Sequence, residues 1–286
     1  MPLLLLPASA RALALGGAGA ALISDDAAIF YNPALMQGQG VPVSVSGSYQ
    51  PYVESSSLSA LSAAFSLGRT RIGAGVQLLD YGSSPEIVPD PATSGERGTP
   101  TGASVSAVDL AFTLAGSRTV ARRAVLGASV KLLREQVASE SGNALAADVG
   151  LVIPMHGIVV TLAGQNLGGP IALAGREAAL PQLLRVGAFV PLYAWERSAI
   201  SGVGELMQVS RLGLTQAAAL EGTWVSTNDL LFALRVGLRR EPGETFAAPA
   251  TFGGGVQTGR LRVDYGYQGL RGLGGGTHRF GARWRR

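Results

Sequence analysis

The sequence predicts an all-β fold: a closed antiparallel transmembrane β-barrel of about fourteen strands, with a short N-terminal segment in its lumen. Three observations predict this class. Apolar and polar residues alternate along most of the chain after residue 41, and charged residues make up only 15% of the 286 positions. No run of about 18 uncharged apolar residues is present, as a spanning helix requires. A closed barrel can still cross a bilayer, because its strands satisfy each other's backbone hydrogen bonds.

The composition agrees with this class and excludes others. Soluble domains usually carry about 25% charged residues, so the depletion indicates a surface that does not all face water. The 40 glycines favour strands and turns over helices. The absence of cysteine excludes disulfides and thiolate metal sites. The net charge is +4 with arginines scattered singly, which argues against nucleic acid as a partner.

Residues 1–10 are interpreted as the remnant of a secretory signal peptide. Four leucines precede Pro7, and Ala8-Ser9-Ala10 matches an A-x-A cleavage site. The basic start of a signal is missing, so the true start would lie upstream. The alternative is an ordinary apolar N-terminus.

Residues 11–40 do not alternate and are predicted to form a plug, or hatch, in the lumen. The run from Gly16 to Ala21 consists of small residues, which allow close backbone packing. Asp25 favours a turn or a helix cap, and Asn32-Pro33 favours a tight corner. The predicted hatch residues are Gly17, Asp25, Asp26, Tyr31, Asn32, Pro33 and Ala34.

Residues 41–286 are predicted to form the barrel. The candidate strands are 41–50, 57–67, 70–81, 103–116, 123–136, 143–153, 157–166, 182–192, 202–212, 215–225, 230–240, 249–258, 260–268 and 277–284. The alternation is weakest in 202–212 and 215–225. Stretches 82–102 and 167–181 are rich in proline and glycine, so both are predicted to be non-strand, the first as a long surface loop.

The faces of the strands predict what meets lipid. Near the end of the chain Leu261, Val263 and Tyr265 share one face, and Arg262 and Asp264 share the other. A charge in mid-membrane costs roughly 2–4 kcal/mol, so the ionic face must point inward. The tyrosines and Trp284 suit an interfacial aromatic girdle. The predicted lumen charges are Lys131, Asp148, Arg185, Arg235, Arg262 and Asp264.

Two interpretations of these charges stay open: a polar pathway or seat for the hatch, and an ion-pair network that only stabilises the wall. A soluble β-sandwich also alternates. Its wet face would be rich in Lys, Glu and Thr, whereas here the opposite face is repeatedly Gly or Ala, which favours the barrel.

The order of several motifs resembles the PorV/PorQ family of outer-membrane proteins, which is related to the FadL-like hydrophobic-compound transporters. The matching motifs are Gly16-Gly17-Ala18, Asp25-Asp26-Ala27, Tyr31-Asn32-Pro33-Ala34, Ala147-Asp148-Val149-Gly150, Gln165-Asn166-Leu167-Gly168, Leu180-Pro181, Arg185-Val186-Gly187, Asp264-Tyr265-Gly266-Tyr267 and Thr277-His278-Arg279-Phe280. They span nearly the whole chain. The ending Trp284-Arg285-Arg286 departs from the aromatic residue on which such barrels commonly finish.

The resemblance implies a fourteen-stranded barrel in the outer membrane whose Asn-Pro-Ala segment folds inward as a hatch. It implies two roles: passage of a hydrophobic small molecule through the barrel and sideways into the membrane, or work with secretion-system proteins of type IX. The expected partners are therefore outer-membrane lipid and either a hydrophobic small molecule in the lumen or secretion-system proteins. An enzyme in the same barrel is a third class.

No catalytic, metal or cofactor site is predicted. No Gly-x-Ser-x-Gly motif is present. His156 and His278 lack neighbouring carboxylates or a second histidine at helical spacing. Gly17-Ala18-Gly19 has neither the preceding strand nor the following lysine of a phosphate-binding loop.

Overall fold

The computed structural model describes residues 1–25, 27–52, 55–93, 97–120, 123–243, 247–270 and 275–286. Within them, fourteen strands close into an antiparallel barrel in which each strand pairs with its neighbours in the chain and the first pairs with the last. The strands are β1 (Val43–Pro51), β2 (Ser57–Leu67), β3 (Thr70–Pro89), β4 (Gly98–Thr119), β5 (Val125–Val137), β6 (Glu140–Met155), β7 (Ile158–Gly168), β10 (Leu183–Trp195), β11 (Ser198–Val209), β12 (Gly213–Val225), β13 (Leu231–Arg240), β14 (Ala247–Thr258), β15 (Leu261–Leu270) and β16 (Gly275–Arg285); a separate hairpin holds β8 (Ile171–Leu173) and β9 (Arg176–Ala178). The predicted fold class is confirmed.

The N-terminal segment, residues 1–42, contains one short α-helix and four 3₁₀ turns. These elements are α1 (Ala10–Ala14) and the turns Pro2–Leu5, Gly19–Ala21, Ala28–Phe30 and Pro33–Gln39; a fifth turn, Pro91–Thr93, links β3 to β4. No helix in the described part of the chain is both long and apolar enough to span a membrane.

The faces of the strands follow the predicted alternation. On β13, Leu234 is 75% exposed while Arg235 on the opposite face is 4% exposed. On β16, Phe280 is 52% exposed while Arg279 is fully buried. Apolar side chains therefore cover the outside, where hydrocarbon would meet them, and ionic side chains lie within.

The two ends of the barrel differ in the length of their connections. At the end where β1 begins, which we call the turn end, the connections are 68–69, 120–124, 156–157, 196–197, 226–230 and 259–260. At the opposite end, the loop end, the connections include 90–97, 169–182 and 241–246. Bacterial outer-membrane barrels have short periplasmic turns and longer extracellular loops, so the turn end is assigned to the periplasm.

Aromatic side chains form a band near each end of the outer surface. Those near the turn end are Phe65, Tyr193, Trp195, Trp224, Phe232 and Trp284, and those near the loop end are Tyr49, Tyr81, Tyr265 and Tyr267. Trp224 stacks on Phe232 with ring centroids 5.6 Å apart. This is the arrangement of interfacial girdles in membrane barrels.

The non-strand prediction for 82–102 is wrong over most of its length. β3 continues to Pro89 and β4 begins at Gly98, so the two strands form a long hairpin. The register shifts twice, between Asp80 and Ser83 and between Pro85 and Ile87. Such bulges accommodate a proline, which has no N–H to donate to the ladder.

The stretch 167–181 also contains strand, contrary to prediction. β7 runs to Gly168, and β8 and β9 form a hairpin around Ala174 and Gly175, which both have positive φ (49° and 73°). Two such residues suit a type I′ turn. Ile171 of β8 is only 1% exposed and packs in a cluster with Leu3 and Leu180. The hairpin itself lies against β6 and β5.

Candidate functional site

The N-terminal segment occupies the inside of the barrel and touches most of its wall. α1 packs on β13 to β16, the turn Gly19–Ala21 packs on β7, β10 and β11, and the turn Pro33–Gln39 packs on β3 to β6. Ala12, Leu15 and Leu22 are fully buried. The segment runs from the loop end at residues 1–7 to the turn end, where β1 begins.

Residues 1–10 are packed like the rest of the segment. Leu3 is fully buried, and it shares an apolar cluster at the loop end with Leu58, Leu79 and Leu133. Arg279, also fully buried, donates to the carbonyl oxygens of Pro7 and, at 3.0 Å, Ala8. The signal-peptide assignment of 1–10 stays a prediction.

Asn32, Pro33 and Ala34 form a tight corner against the wall. The Asn32 side chain is fully buried; its Oδ1 accepts from the Ala34 N–H at 3.1 Å, and its Nδ2 donates to the Leu162 carbonyl at 3.3 Å. Pro33 begins the turn that follows. The Asn32 side chain therefore caps the corner and links it by a hydrogen bond to β7.

Glycines on the inner wall make room for this corner. A Cβ added at Gly127 of β5 would overlap Ala34 N and lie 2.5 Å from the carbonyl carbon of Pro33. A Cβ at Gly150 of β6 would overlap Asn32 Oδ1. Other wall glycines whose added Cβ would strike the segment are Gly75, Gly187, Gly237, Gly253 and Gly266. The glycine-rich inner face noted in the sequence is therefore the seat of the N-terminal segment.

Arg11 of α1 is the strongest ionic link between the segment and the wall. Its Nε and Nη2 donate to the two carboxylate oxygens of Glu221 at 2.9 and 2.7 Å, and its Nη1 donates to the Ile23 carbonyl at 2.8 Å. Burial lowers the pKa of Arg11, but Glu221 and Asp25 outweigh it and raise the net pKa above the ordinary value. Arg11 therefore stays charged, which suits a bidentate pair.

A second link joins the segment to β11 and β10. Glu205 accepts from the Ala20 N–H at 2.8 Å and from Arg185 at 2.6 Å. The Arg185 guanidinium lies 5.9 Å from the centre of the Tyr31 ring. Burial and, more weakly, Asp25 raise the pKa of Tyr31 to about 12, so its hydroxyl stays neutral.

The remaining predicted hatch residues lie in the same segment. Asp25 is 4% exposed and accepts from the Ala27 N–H at 2.8 Å. Gly17 has a positive φ of 79°, and an added Cβ there would overlap the Arg239 guanidinium. Asp26 lies outside the described residues.

Of the six predicted lumen charges, two sit beside a bulge in β7. Lys131 pairs with Asp148 at 2.8 Å and donates to Asn166 Oδ1 at 2.8 Å. The register between β6 and β7 shifts here, so that Gln165 and Asn166 both point inward. Gln165 uses this position to donate to the Phe30 carbonyl at 2.9 Å.

The other four predicted charges form two clusters, which also contain two acidic residues that the sequence analysis missed, Glu205 and Glu221. Arg185 pairs with Glu205 as described, and Arg235 bridges Glu221 at 2.5 Å and Asp264 at 2.7 Å. Arg262 contacts Asp264 at 3.0 Å. Glu221 stands directly opposite Arg235 in the β12–β13 register. Only that register could have revealed the pairing, and Glu221 lies in 215–225, one of the two candidate strands with the weakest alternation.

The mouth cavity opens beside residues 2–7 at the loop end and has a volume of about 380 Å³. Its wall is mainly apolar, and Thr215 and Thr251 add hydroxyls. Its lining includes Leu5, Leu6, Gly16, Val209, Thr215 and Arg239. Arg239 pairs with Glu241 at 2.5 Å and donates to the Gly16 carbonyl at 3.4 Å. Sequence analysis missed this cavity because residues 1–10 had been set aside as a signal remnant.

Among the described residues, no cluster of three or more His, Asp or Glu side chains could hold a metal ion.

Comparison with known proteins gives similarity of structure but none of sequence. No protein-family model and no curated protein matches the chain. The toluene transporter TodX of Pseudomonas putida has a TM-score of 0.63 at 14% identity, covering 97% of both chains. A Pseudomonas aeruginosa FadL homologue has 0.62 at 12%, covering 97% of this chain and 98% of that one. The monoaromatic hydrocarbon channel CymD has 0.65 at 10%, covering 98% and 97%.

These likenesses show the fold: a closed barrel like those of the three solved proteins. The chain is an outer-membrane barrel by its architecture, with an apolar outside and an ionic inside. The narrower PorV/PorQ assignment has no family match behind it and stays a prediction.

Proposed function

We propose that this barrel passes uncharged hydrophobic small molecules across the outer membrane, with the mouth cavity as their first binding place and residues 11–40 as the hatch. The observation that carries the proposal is the mouth cavity itself, an apolar space at the loop end whose floor belongs to the N-terminal segment. A molecule bound there touches the element that would have to move.

The size of the cavity suits small hydrocarbons. An apolar cavity of about 150 Å³ binds benzene, and the mouth cavity measures about 380 Å³. Ligand pockets usually fall between about 300 and 1,000 Å³ and are lined mainly by apolar side chains. A compound with one or two rings therefore fits.

The charges in the cavity favour an uncharged solute. Arg239 already has Glu241 as its anionic partner and the Gly16 carbonyl as a second acceptor. A carboxylate ligand would have to displace one of these partners and lose its own hydration. A neutral molecule displaces no ionic partner and has no charge to dehydrate, and burial of its apolar surface stabilises the complex.

The N-terminal segment has the features of a movable hatch more than of a barrel strand. Its polar links to the wall include the Asn32 corner, the Arg11–Glu221 pair, the Glu205 acceptor and the Gln165 donor. Each of these links runs through a side chain, so displacing them leaves the backbone hydrogen bonds between barrel strands in place. The solved neighbours described above include a toluene transporter and a monoaromatic hydrocarbon channel, which supports the same class of solute.

The test compares a cavity-filling variant with its lipid-facing neighbour. Thr215 lines the cavity and is 5% exposed, whereas Leu214 faces outward and is 42% exposed. T215F should weaken naphthalene binding to purified protein about tenfold or more, equivalent to about 1.4 kcal/mol, and slow naphthalene uptake into proteoliposomes. L214F should match the wild type. Undiminished binding in T215F would refute the cavity as the first binding place.

A second candidate, docking of secretion partners, rests on the β3–β4 hairpin. These two strands are 20 and 22 residues long, longer than the other barrel strands, and carry Ile87 at 62% and Val88 at 42% exposure. Exposed apolar side chains of this kind suit a protein partner. Purification with native lipid separates the candidates: a bound small apolar molecule supports passage, and co-purifying secretion proteins lost on I87S/V88S support docking.

A further inference from the structure

The turn end of the barrel carries an excess of exposed positive charge. Within the described residues, the exposed arginines in its turns or within two residues of them are Arg69, Arg118, Arg123, Arg197 and Arg260; Arg286, also exposed, follows β16 at the same end. The exposed acidic residues there are Glu196 and Asp229. We call the five arginines at the turns the basic collar.

The loop end shows no such excess. Its exposed or half-buried described arginines are Arg97, Arg134, Arg176, Arg211, Arg239 and Arg240, and its acidic residues are Asp80, Glu86, Asp90, Glu135, Glu140, Glu177 and Glu241. The acidic residues outnumber the arginines by one. The positive charge is therefore a property of the periplasmic side and does not follow from the overall net charge alone.

The basic collar lies just outside the aromatic band of the same end. Arg197 follows Trp195 by two residues, and the Arg260 backbone carbonyl accepts from the Arg285 N–H, beside Trp284. Aromatic girdles mark the boundary between hydrocarbon and headgroups. The guanidinium groups therefore reach the headgroup layer of the adjacent leaflet, since arginine extends its charge away from an apolar stem.

We propose that the basic collar binds the phosphate groups of anionic phospholipids in the periplasmic leaflet. A guanidinium matches a phosphate with two parallel hydrogen bonds. Arg197 donates one N–H to the Ser226 carbonyl at 3.0 Å, which orients the group and leaves further donors for a phosphate. The collar positions arise from four different turns, so several lipids are held around the barrel. This binding does not depend on what the lumen carries.

The three tryptophans of the chain make the proposal measurable. Trp195, Trp224 and Trp284 all lie at the turn end, so intrinsic fluorescence reports on this leaflet alone. The protein is reconstituted in phosphatidylcholine vesicles containing phosphatidylglycerol. Either the anionic or the neutral lipid is brominated on its acyl chains, at the same mole fraction. The ratio of quenching by the two lipids measures how far the anionic lipid is enriched beside the barrel.

In the wild type we expect the anionic lipid to quench at least twice as strongly as the neutral lipid. Each arginine near an anionic surface favours binding about fivefold when no other lipid competes for the position. R197Q/R260Q should bring the ratio close to unity, as should about 1 M salt, where the screening length falls to about 3 Å. The matched variant R134Q/R176Q at the loop end should keep the wild-type ratio. Heat-shifted gel migration verifies that each variant is a folded barrel. Equal quenching by the two lipids in the wild type, or a ratio unchanged in R197Q/R260Q, would overturn the proposal.

Discussion

Replacing Gly127 by alanine should displace the proposed hatch, residues 11–40, while leaving the barrel intact. The added methyl group would lie 2.5 Å from the carbonyl carbon of Pro33 and overlap Ala34 N, whereas carbon atoms pack best at about 3.5–4.0 Å. The obstructing atoms are backbone, so no rotamer change relieves the clash. The Asn32-Pro33-Ala34 corner must move away from β5.

The size of the effect follows from what that movement costs. Overpacking usually costs about 1–3 kcal/mol. Loss of the Asn32 hydrogen bonds to Leu162 and Ala34 adds about 0.5–1.5 kcal/mol each. Taking the overpacking alone, the ratio of displaced to seated hatch should rise about 5- to 150-fold, at 1.4 kcal/mol per factor of ten.

The assay is single-channel conductance in planar bilayers, together with liposome swelling in a small sugar. G127A should show more frequent open events and faster swelling than the wild type, with unchanged heat-shifted migration on gels. The matched control is G116A on the neighbouring strand β4, where an added Cβ meets nothing within 4 Å. Wild-type conductance in G127A, or an equal increase in G116A, would refute the seating of the hatch on the wall glycines.

Two further predictions concern buried ion pairs, for which removal of one partner typically costs about 3–5 kcal/mol. E221Q leaves Arg11 and Arg235 facing each other without their shared anion, so limited proteolysis should cleave the N-terminal segment faster than in the wild type, and R11Q/E221Q should recover part of the protection; equal protection in all three would contradict the link. D148N leaves Lys131 without its carboxylate and should lower the unfolding midpoint in urea while naphthalene uptake persists; uptake lost in a fully folded D148N would show that this pair belongs to the pathway.

Much of the barrel could be predicted because alternation is a local property of the sequence. A strand such as β13 shows its lipid face in the residues Phe232, Leu234 and Val236 themselves, whatever its neighbours are. The fourteen candidate strands all correspond to observed ones. The largest errors fell on 82–102, where prolines indicated a loop, although bulges let the strands continue.

The candidate site depends on contacts between residues far apart in the sequence, so less of it could be predicted. The partners of Glu205 and Glu221 depend on the register of neighbouring strands, and that register cannot be read from the sequence. Ile171 of the β8–β9 hairpin shares an apolar cluster with Leu3, more than 160 positions away in the sequence. The tight corner could be located from Asn32-Pro33 turn chemistry, but not the wall glycines that receive it.

The central claim is that apolar side chains face lipid and ionic ones face the lumen, and site-directed spin labelling along β13 tests it most directly. The chain has no cysteine, so single cysteines at positions 231–238 can each carry one label in reconstituted vesicles. Collisions with oxygen, which dissolves in hydrocarbon, should peak at 232, 234 and 236 and fall at 233, 235 and 237. A profile without this two-residue period, or with its maxima at 233 and 235, would contradict the account.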